Sequence, residues 1–357
     1  MPNLIDTDAK IIYEREDGFA EHSVIRTSDG RIYIGHINTS GQLEIRYSDN
    51  GGTNWSLDTT FSPPSGEGDI DMFSFAISDL DDVFLTYSFA TDIDTYTLKV
   101  QKRDHSSETW SEVLSETSLV STGIILKPLI TWNRKSGLSR LHIFWLTHAS
   151  GSSPVYINNK YTDNYGSSWT NGTQRTHATD NYHYTIDSID SNPLTSDIYL
   201  IVRLTNATFR GKMERWNYNG IFQSSADIVS STNRNLFGHS LVIDNQGNRW
   251  IISFREGSGT YYFQVYKNET TFSVDLITSG VSQTYKDMYC IGSDASDNIY
   301  AFYTKKSDDK AYYKKYDEET STWSSEIALS SGDAFRIGCE QHSLVGSNKL
   351  HTSYYTD

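Results

Sequence analysis

The chain has 357 residues, a formal net charge of −15 and a sequence pI near 5.0. This acidic balance excludes a general binder of nucleic acid or of anionic membranes, because such proteins need a basic surface. Aromatic residues make up 13% of the chain, including 24 Tyr, whereas Pro occurs only 6 times. That mixture favours strands joined by short polar turns. No apolar run approaches the ~18 residues of a membrane-spanning helix, so the sequence predicts no membrane insertion.

The N-terminal residues 1–19 carry one strand pattern, at residues 9–15, ahead of the first repeat. They show neither the charged nor the apolar region of a signal peptide. Either a leader was trimmed or the protein leaves its cell by another route, as phage virion proteins do on lysis. The expected location is therefore extracellular or virion-associated.

A strand–turn–strand pattern then recurs along the chain. Residues 22–36 and residues 239–254 both start with His and Ser, place a Gly eight positions after the His and continue into an apolar strand. Further copies give seven starts, at intervals of 50 to 56 residues, near residues 22, 73, 128, 183, 239, 289 and 342. A period of this length with several strands in each unit is typical of a β-propeller.

The predicted fold is thus all-β, a single β-propeller domain over residues 1–357 with seven blades. Six blades is the alternative, if two of the starts belong to one unit. The last unit has only two strand patterns before Asp357. We therefore expect residues 1–19 to supply its outer strand and to close the ring, which would cover exposed strand edges.

Two turns in the chain have matching sequences. Residues 47–55 (YSDNGGTNW) and 161–169 (YTDNYGSSW) both read Tyr, hydroxyl-x-Asn-x-Gly-x-x-Trp. The short Asn side chain can bond backbone groups of its own turn, the Gly allows a positive φ and the indole anchors the hairpin. These positions are expected to be structural.

This pattern resembles the Asp-box, with Asn where Asp is usual. The chain accordingly resembles the Asp-box (BNR-repeat) β-propellers, a superfamily that includes sialidases and several polysaccharide-acting proteins. The resemblance implies that the boxes lie away from the ligand face. Residues 254–259 (FREGSG) also look like a return strand of sialidase-like propellers. A sialidase would carry an Arg-Ile-Pro motif near its start, three arginines, a Tyr–Glu pair and an acid Asp, but the nearest string here, residues 335–338 (FRIG), lacks the Pro and lies at the other end.

Inner strands begin and return strands end at the same face of a propeller, so residues there are expected to ring the mouth of the channel. Four of the ten histidines occupy the first position of a repeat. Aromatic faces pack on sugar rings and Arg binds carboxylates with two hydrogen bonds. The ligand-binding candidates on this basis are His22, His36, Tyr87, Trp145, His148, Arg203, His342 and Tyr354. A repeated His–Ser pair can equally satisfy buried backbone groups near the axis. Metal binding there is a third alternative, although no close His/Asp/Glu spacing predicts a metal site.

The favoured function is a carbohydrate-recognising propeller, in a phage tail or an adhesin, that binds a complex or acidic polysaccharide at the channel mouth. Its expected partners are a polysaccharide or cell-surface glycan and virion or cell-surface proteins. The alternative is a polysaccharide lyase or glycoside hydrolase on the same face, because imidazole, phenol and guanidinium groups can transfer protons and stabilise charge. Its catalytic candidates are His183, His239, Arg255 and Tyr303. A second alternative is a structural, protein-binding propeller in a larger assembly.

The remaining motifs are sparse. The sequence has no P-loop, zinc signature, dinucleotide fingerprint or G-x-S-x-G elbow, so no cofactor is predicted. Cys290 and Cys339 are too few for a disulfide scaffold. They fit either one bridge between neighbouring repeats or two buried thiols.

Overall fold

A computed structural model describes residues 23–92, 94–120, 127–148, 154–177, 183–205, 210–228, 235–257, 260–267, 270–277, 289–305, 310–330, 335–339, 341–342 and 352–355. All regular secondary structure in these ranges is β-strand. None of it is a helix that could span a membrane. The strands form consecutive antiparallel sheets, the blades of a β-propeller.

The first three blades follow the chain order from the axis outward. Blade 1 contains β1 (Val24–Arg26), β2 (Ile32–Ile37), β3 (Leu43–Ser48) and β4 (Ser56–Phe61). Blade 2 contains β5 (Ile70–Ile77), β6 (Val83–Asp92), β7 (Thr95–Arg103) and β8 (Trp110–Val120). Blade 3 contains β9 (Leu129–Trp132), β10 (Leu141–His148), β11 (Val155–Thr162), β12 (Thr170–Asn171) and β13 (Arg175–Thr176).

The next three blades repeat this order. Blade 4 contains β14 (His183–Ser191), β15 (Ile198–Thr205), β16 (Arg210–Trp216) and β17 (Phe222–Asp227). Blade 5 contains β18 (Asn235–Ile243), β19 (Arg249–Gly257), β20 (Thr260–Lys267) and β21 (Thr270–Ile277). Blade 6 contains β22 (Tyr289–Ser293), β23 (Ile299–Lys305), β24 (Lys310–Asp317), β25 (Thr322–Trp323) and β26 (Ile327–Ala328).

The structure therefore has six blades, and the prediction of seven is wrong. The described residues between 335 and 355 give a two-stranded ribbon, β27 (Phe335–Cys339) and β28 (Thr352–Tyr355), in which β27 contacts blade 6 on one side and β1 on the other. The described part of the predicted seventh start, His342, forms a single isolated bridge with Ser293 and belongs to no described strand. Instead, Gln341 accepts a hydrogen bond from the amide of Ser293 (2.9 Å), which fixes this segment against blade 6. The expected closing strand in residues 1–19 lies outside the described residues.

The hydrophobic core lies between neighbouring blades rather than within one of them. Blades 1 and 2, for example, share a cluster that includes Tyr33, Phe75 and Leu85. Cys290 and Cys339 are buried in the cluster between blade 6 and the ribbon, and both are free thiols.

A serine on the inner strand links each of three blades to the next one. The Ser188 hydroxyl accepts a hydrogen bond from the amide of Leu241 (2.9 Å), and the Ser240 hydroxyl from that of Ile291 (3.3 Å). The Ser74 hydroxyl lies 3.5 Å from the amide of Ile130. These serines are nearly inaccessible to solvent. Part of the repeated sequence pattern thus satisfies backbone groups between adjacent inner strands.

We expect Ser188→Ala to lower the free energy of unfolding by about 1–3 kcal/mol, because a buried amide loses its acceptor. Ser74→Ala should have the smaller effect, since its hydrogen bond is at the distance limit. Chemical denaturation of both variants measures the difference. Equal losses of unfolding free energy in the two variants would mean that these serine hydrogen bonds do not determine how strongly adjacent blades stabilise each other.

The turns from first to second strand share a left-handed residue. Gly247 (φ 78°) holds this position in blade 5, whereas Asp81 (φ 62°) and Asp297 (φ 62°) hold it in blades 2 and 6. Asp81 accepts a hydrogen bond from the amide of Ser28 in blade 1, and Asp297 from that of Asn245 in blade 5, both at 2.8 Å. The side chains of these two left-handed Asp residues therefore join the turns of adjacent blades.

The two matching turns seen in the sequence adopt the same hydrogen bonding. Asn50 accepts from the amide of Asn54 (2.8 Å), and Asn164 from that of Ser168 (2.9 Å). Both turns connect a third strand to a fourth, so they lie on the face opposite the starts of the inner strands. The turn at Asn164 also contacts the neighbouring blade, because the Trp169 indole donates to the carbonyl of Val113 (2.9 Å).

We expect Gly166→Ala to destabilise the protein more than Gly52→Ala. Both glycines have a positive φ (89° and 82°), so either alanine is strained by about 1–2 kcal/mol. Only at Gly166 would the new methyl group also clash, with the Val113 side chain at 2.9 Å, whereas at Gly52 the nearest atom, in Trp55, is 3.5 Å away. Thermal unfolding of the two variants separates the clash from the strain. Identical melting temperatures would contradict this prediction.

Candidate functional site at the channel axis

A β-bulge in the inner strand of blade 4 positions a carboxylate at the axis. The register of β14 against β15 shifts between Ile186 and Ser188, so Asp187 has no partner across the sheet. Ile186 and Ile189 on either side remain in the core between blades 3 and 4. Bulges re-aim single side chains in this way. The Asp187 side chain is fully buried.

Two cations surround this carboxylate. Arg203, on β15, places its Nε 3.2 Å from Oδ2 of Asp187, and Lys127, which precedes β9, places its Nζ 3.8 Å from Oδ1. The Thr185 hydroxyl donates to Asp187 at 2.7 Å. Lys127 and Arg203 are almost completely buried. The three charged groups therefore form a cluster enclosed by the inner strands.

The ionised form of Asp187 is favoured by its neighbours. Burial by itself would raise the pKa of this carboxyl, but the charges of Arg203 and Lys127 outweigh burial and hold the pKa below its usual value. Asp187 is consequently a carboxylate at neutral pH.

His239 borders the same cluster from blade 5. Its Nδ1 lies 2.5 Å from the Ser253 hydroxyl, and its Nε2 faces Gly211, where any side chain would collide with the ring. Burial lowers the pKa of His239 to about 4, against an opposing effect of Asp187. The imidazole is therefore neutral at pH 7, without contact with solvent.

The structure thus brings together two of the residues predicted from the sequence, Arg203 and His239. Four others are buried elsewhere in the fold. The Tyr303 hydroxyl donates to Glu326 at 2.6 Å, and burial raises the pKa of Tyr87 to about 12. His36 lies 3.6 Å from Glu44, and Trp145 packs in the core between blades 2 and 3.

The remaining predicted residues fall into three groups. His148 is half-buried at the end of β10. His342 lies at the far end of the channel, where its Nε2 is 2.9 Å from Asp190 and its Nδ1 is 2.8 Å from the Ser293 hydroxyl. His22 lies outside the described residues. The backbones of His183, Arg255 and Tyr354 belong to β14, β19 and β28, but their side chains lie outside the described part of the chain.

The sequence reasoning missed Asp187 and Lys127. The signal available for Asp187 was a charged residue within an inner-strand pattern, residues 183–191. Lys127 stands directly before a Pro, just ahead of the inner-strand pattern of blade 3, and nothing in its local sequence marks it. In the described ranges, no three His, Cys, Asp or Glu side chains are grouped as metal ligands.

No protein-family model matches this sequence, and no curated protein matches it. Several solved structures have a similar fold. An α-L-arabinofuranosidase from Fusarium graminearum is 10% identical, with a TM-score of 0.53, over 82% of this chain and 95% of that one. A protein of unknown function from Dyadobacter fermentans is 11% identical, with a TM-score of 0.54, over 84% and 94% of the two chains. The Hadza microbial sialidase Hz136 is 9% identical, with a TM-score of 0.51, over 88% and 71%. At these identities the likeness establishes the fold, a β-propeller that carbohydrate-active proteins also use.

Proposed function

We propose that this protein is a carbohydrate-recognising β-propeller that binds a complex or acidic polysaccharide at the channel mouth, on the face where the inner strands begin. The main observation in support of this proposal is the buried cluster of Asp187, Arg203 and Lys127. Burying three charges costs free energy that an apolar core would not, and such clusters concentrate at functional sites. A location outside the cell or on a virion is part of the same proposal.

Recognition is favoured over lyase chemistry by the surroundings of the proton-transfer candidates. A general base works best when its pKa is near the working pH, and the pKa of His239 is about 4. Both ring nitrogens of His239 face protein atoms. Burial and Glu326 raise the pKa of Tyr303, whose hydroxyl is already bonded to that carboxylate.

A glycoside hydrolase on the same face is the second candidate. The observation that favours it is Asp187, an ionised carboxylate beside an Arg at the axis. Glycoside hydrolases generally work with two carboxylic groups, one of which remains charged. Asp187 would be the charged one, and a substrate would have to displace the side chains that enclose it.

The test is a panel of acidic and neutral polysaccharides with three readouts: binding, release of reducing ends and absorbance at 235 nm from unsaturated uronates. Asp187→Asn keeps the shape of the side chain without its charge. Asp227→Asn, in the same blade, changes an exposed carboxylate and is the matched control. Circular dichroism and thermal melting verify that both variants are folded.

Binding without products, weakened by Asp187→Asn and by salt, supports recognition of an acidic polymer. Reducing ends that disappear in Asp187→Asn would make the protein a hydrolase, and an absorbance signal would make it a lyase. Failure to bind any polymer of the panel would overturn the proposal.

A further inference from the structure

A cavity of about 510 Å³ lies at the other end of the channel, where the inner strands end. It draws lining residues from all six blades and from residues 341–342. Cavities of roughly 300–1,000 Å³ are the usual size of small-ligand sites. None of the groups around Asp187 lines it, so it is separate from the axial cluster.

Polar side chains that cross the channel close one side of this cavity. Arg134, in the turn after β9, donates to the carbonyl of Ser191 (3.0 Å), and its guanidinium lies 3.2 Å from Nδ1 of His342. Gln341 donates to the carbonyls of Ile189 (2.9 Å) and Leu241 (2.8 Å). Blades 4, 5 and 6 are thereby tied together on this side of the cavity.

The opposite wall is apolar and rigid. Val24, Phe75 and Ile130 from three adjacent inner strands line it, and all are part of the packed core. Trp132 completes this wall, held in place by ring stacking on Phe84 and Tyr165 at 6.0 and 5.4 Å. Such a surface can pack against the C–H groups of a ligand.

The charged groups of the lining nearly balance. Three are cationic (Arg26, Arg134 and Lys135) and four are anionic (Asp79, Asp81, Asp190 and Asp294). A strongly charged ligand of either sign therefore meets repulsion as well as attraction. Hydroxyl groups, which both donate and accept, match a mixed lining of this kind.

Two donors in the lining have no partner within the described part of the chain. The Nε of Arg134 is buried without a hydrogen bond. Lys135, half-buried in the same turn, forms no ion pair with any described residue. Asp79, another lining residue, accepts from the hydroxyls of Ser139 and Tyr165 (2.9 and 3.1 Å). Donors and acceptors are thus both at hand for a polyol.

We propose that this cavity is a second ligand site, which binds an uncharged sugar of one or two residues. The sugar ring packs on the Val24–Phe75–Ile130 wall, while its hydroxyls accept from Lys135 and donate to Asp79. This site lies at the opposite end of the channel from the mouth, so the proposal does not depend on the function proposed above.

The experiment follows the indole resonances of uniformly ¹⁵N-labelled protein, which has eight Trp, during titration with glucose, galactose, arabinose and their disaccharides. Trp132→Phe assigns the Trp132 signal. If that variant does not fold, Tyr165→Leu assigns the signal, because it removes the ring that stacks on Trp132 and so shifts the Trp132 resonance. A neutral sugar is expected to shift the Trp132 signal, with a Kd of about 1 mM or lower. The Trp250 signal, from the core between blades 5 and 6, should remain in place.

Lys135→Ala and Asp79→Ala should each weaken binding about tenfold, the usual effect of losing one hydrogen bond to a charged group. Lys212→Ala, which changes an exposed lysine on β16, is the matched control and should leave the affinity unchanged. Asp187→Asn should leave it unchanged as well, whereas it would weaken binding at the mouth. Glucuronate and glucosamine should bind more weakly than glucose. The proposal is overturned if no neutral sugar shifts the Trp132 signal, or if Lys135→Ala and Lys212→Ala bind alike.

Discussion

Acidification from pH 7 to pH 4 is expected to lower the free energy of unfolding by about 6 kcal/mol, through two buried histidines. Burial lowers the pKa of His239 to about 4. Burial, assisted by Arg140 and opposed by Asp163, lowers the pKa of His142 to about 3. The His142 ring is fully enclosed and stacks on Phe144.

The direction follows from proton binding. In the unfolded chain both histidines take up a proton near pH 6.5, whereas in the folded protein they remain neutral until about pH 4 and pH 3. The unfolded state binds more protons between these values, so stability falls as the pH falls. Asp187 and Asp190, whose pKa values are lowered in the folded state, add a further loss below about pH 4.

Urea unfolding at a series of pH values measures the effect. Near pH 5 the free energy of unfolding should change by about 2–3 kcal/mol per pH unit, because the unfolded state binds almost two more protons than the folded state. His142→Phe, which extends an aromatic cluster, should halve that slope. His148→Phe changes a half-buried histidine of the same strand and serves as the control. If His142→Phe keeps the full slope, His142 is not among the groups responsible.

Asp187→Ala should destabilise the protein by about 3–5 kcal/mol, because Arg203 and Lys127 would remain buried without their carboxylate. The size of the effect depends on burial, and Asp187 is fully enclosed. Asp227→Ala removes an exposed carboxylate 3.8 Å from Lys212 and should change stability by less than about 1 kcal/mol.

A double replacement separates the charge from the volume. Asp187→Leu combined with Arg203→Met removes the closest ion pair while keeping the space filled, and it should recover part of the loss seen in Asp187→Ala. Chemical denaturation of all three variants gives the comparison. A double variant less stable than Asp187→Ala would show that the cluster is held by interactions other than this ion pair.

The periodic part of the fold was accessible from the sequence, because each blade repeats a hydrophobic pattern. The inner strands begin at Val24, Ile70, Leu129, His183, Asn235 and Tyr289, against expected starts near 22, 73, 128, 183, 239 and 289. The number of blades was not accessible. A His–Ser pair looks the same whether it lies within an inner strand, as His239 and Ser240 do, or has a His that bonds across the channel, as His342 does to Asp190.

The candidate site was less accessible, because it depends on a bulge. If the side chains of β14 alternated strictly between the two faces of the sheet, the direction of the Asp187 side chain could be predicted from its neighbours. The register shift at Ile186 changes that direction, so the carboxylate points toward Arg203 and Lys127. The aromatic candidates Tyr87, Trp145 and Tyr303 were assigned to the mouth from their position near strand ends. The cores between neighbouring blades enclose them instead, since large rings fill the space between twisted sheets.

Gln341 also sets an order for folding during synthesis. The carbonyls of Ile189 and Leu241, which it bonds, are made 152 and 100 residues before it. Blades 4 and 5 therefore leave the ribosome long before the side chain that joins them across the channel, and a long-range contact of this kind forms late. While the chain is still growing, the blades stand as an open arc with bare edges. Interrupted synthesis before residue 341 would leave a partly assembled propeller prone to aggregation, whatever the stability of the finished protein.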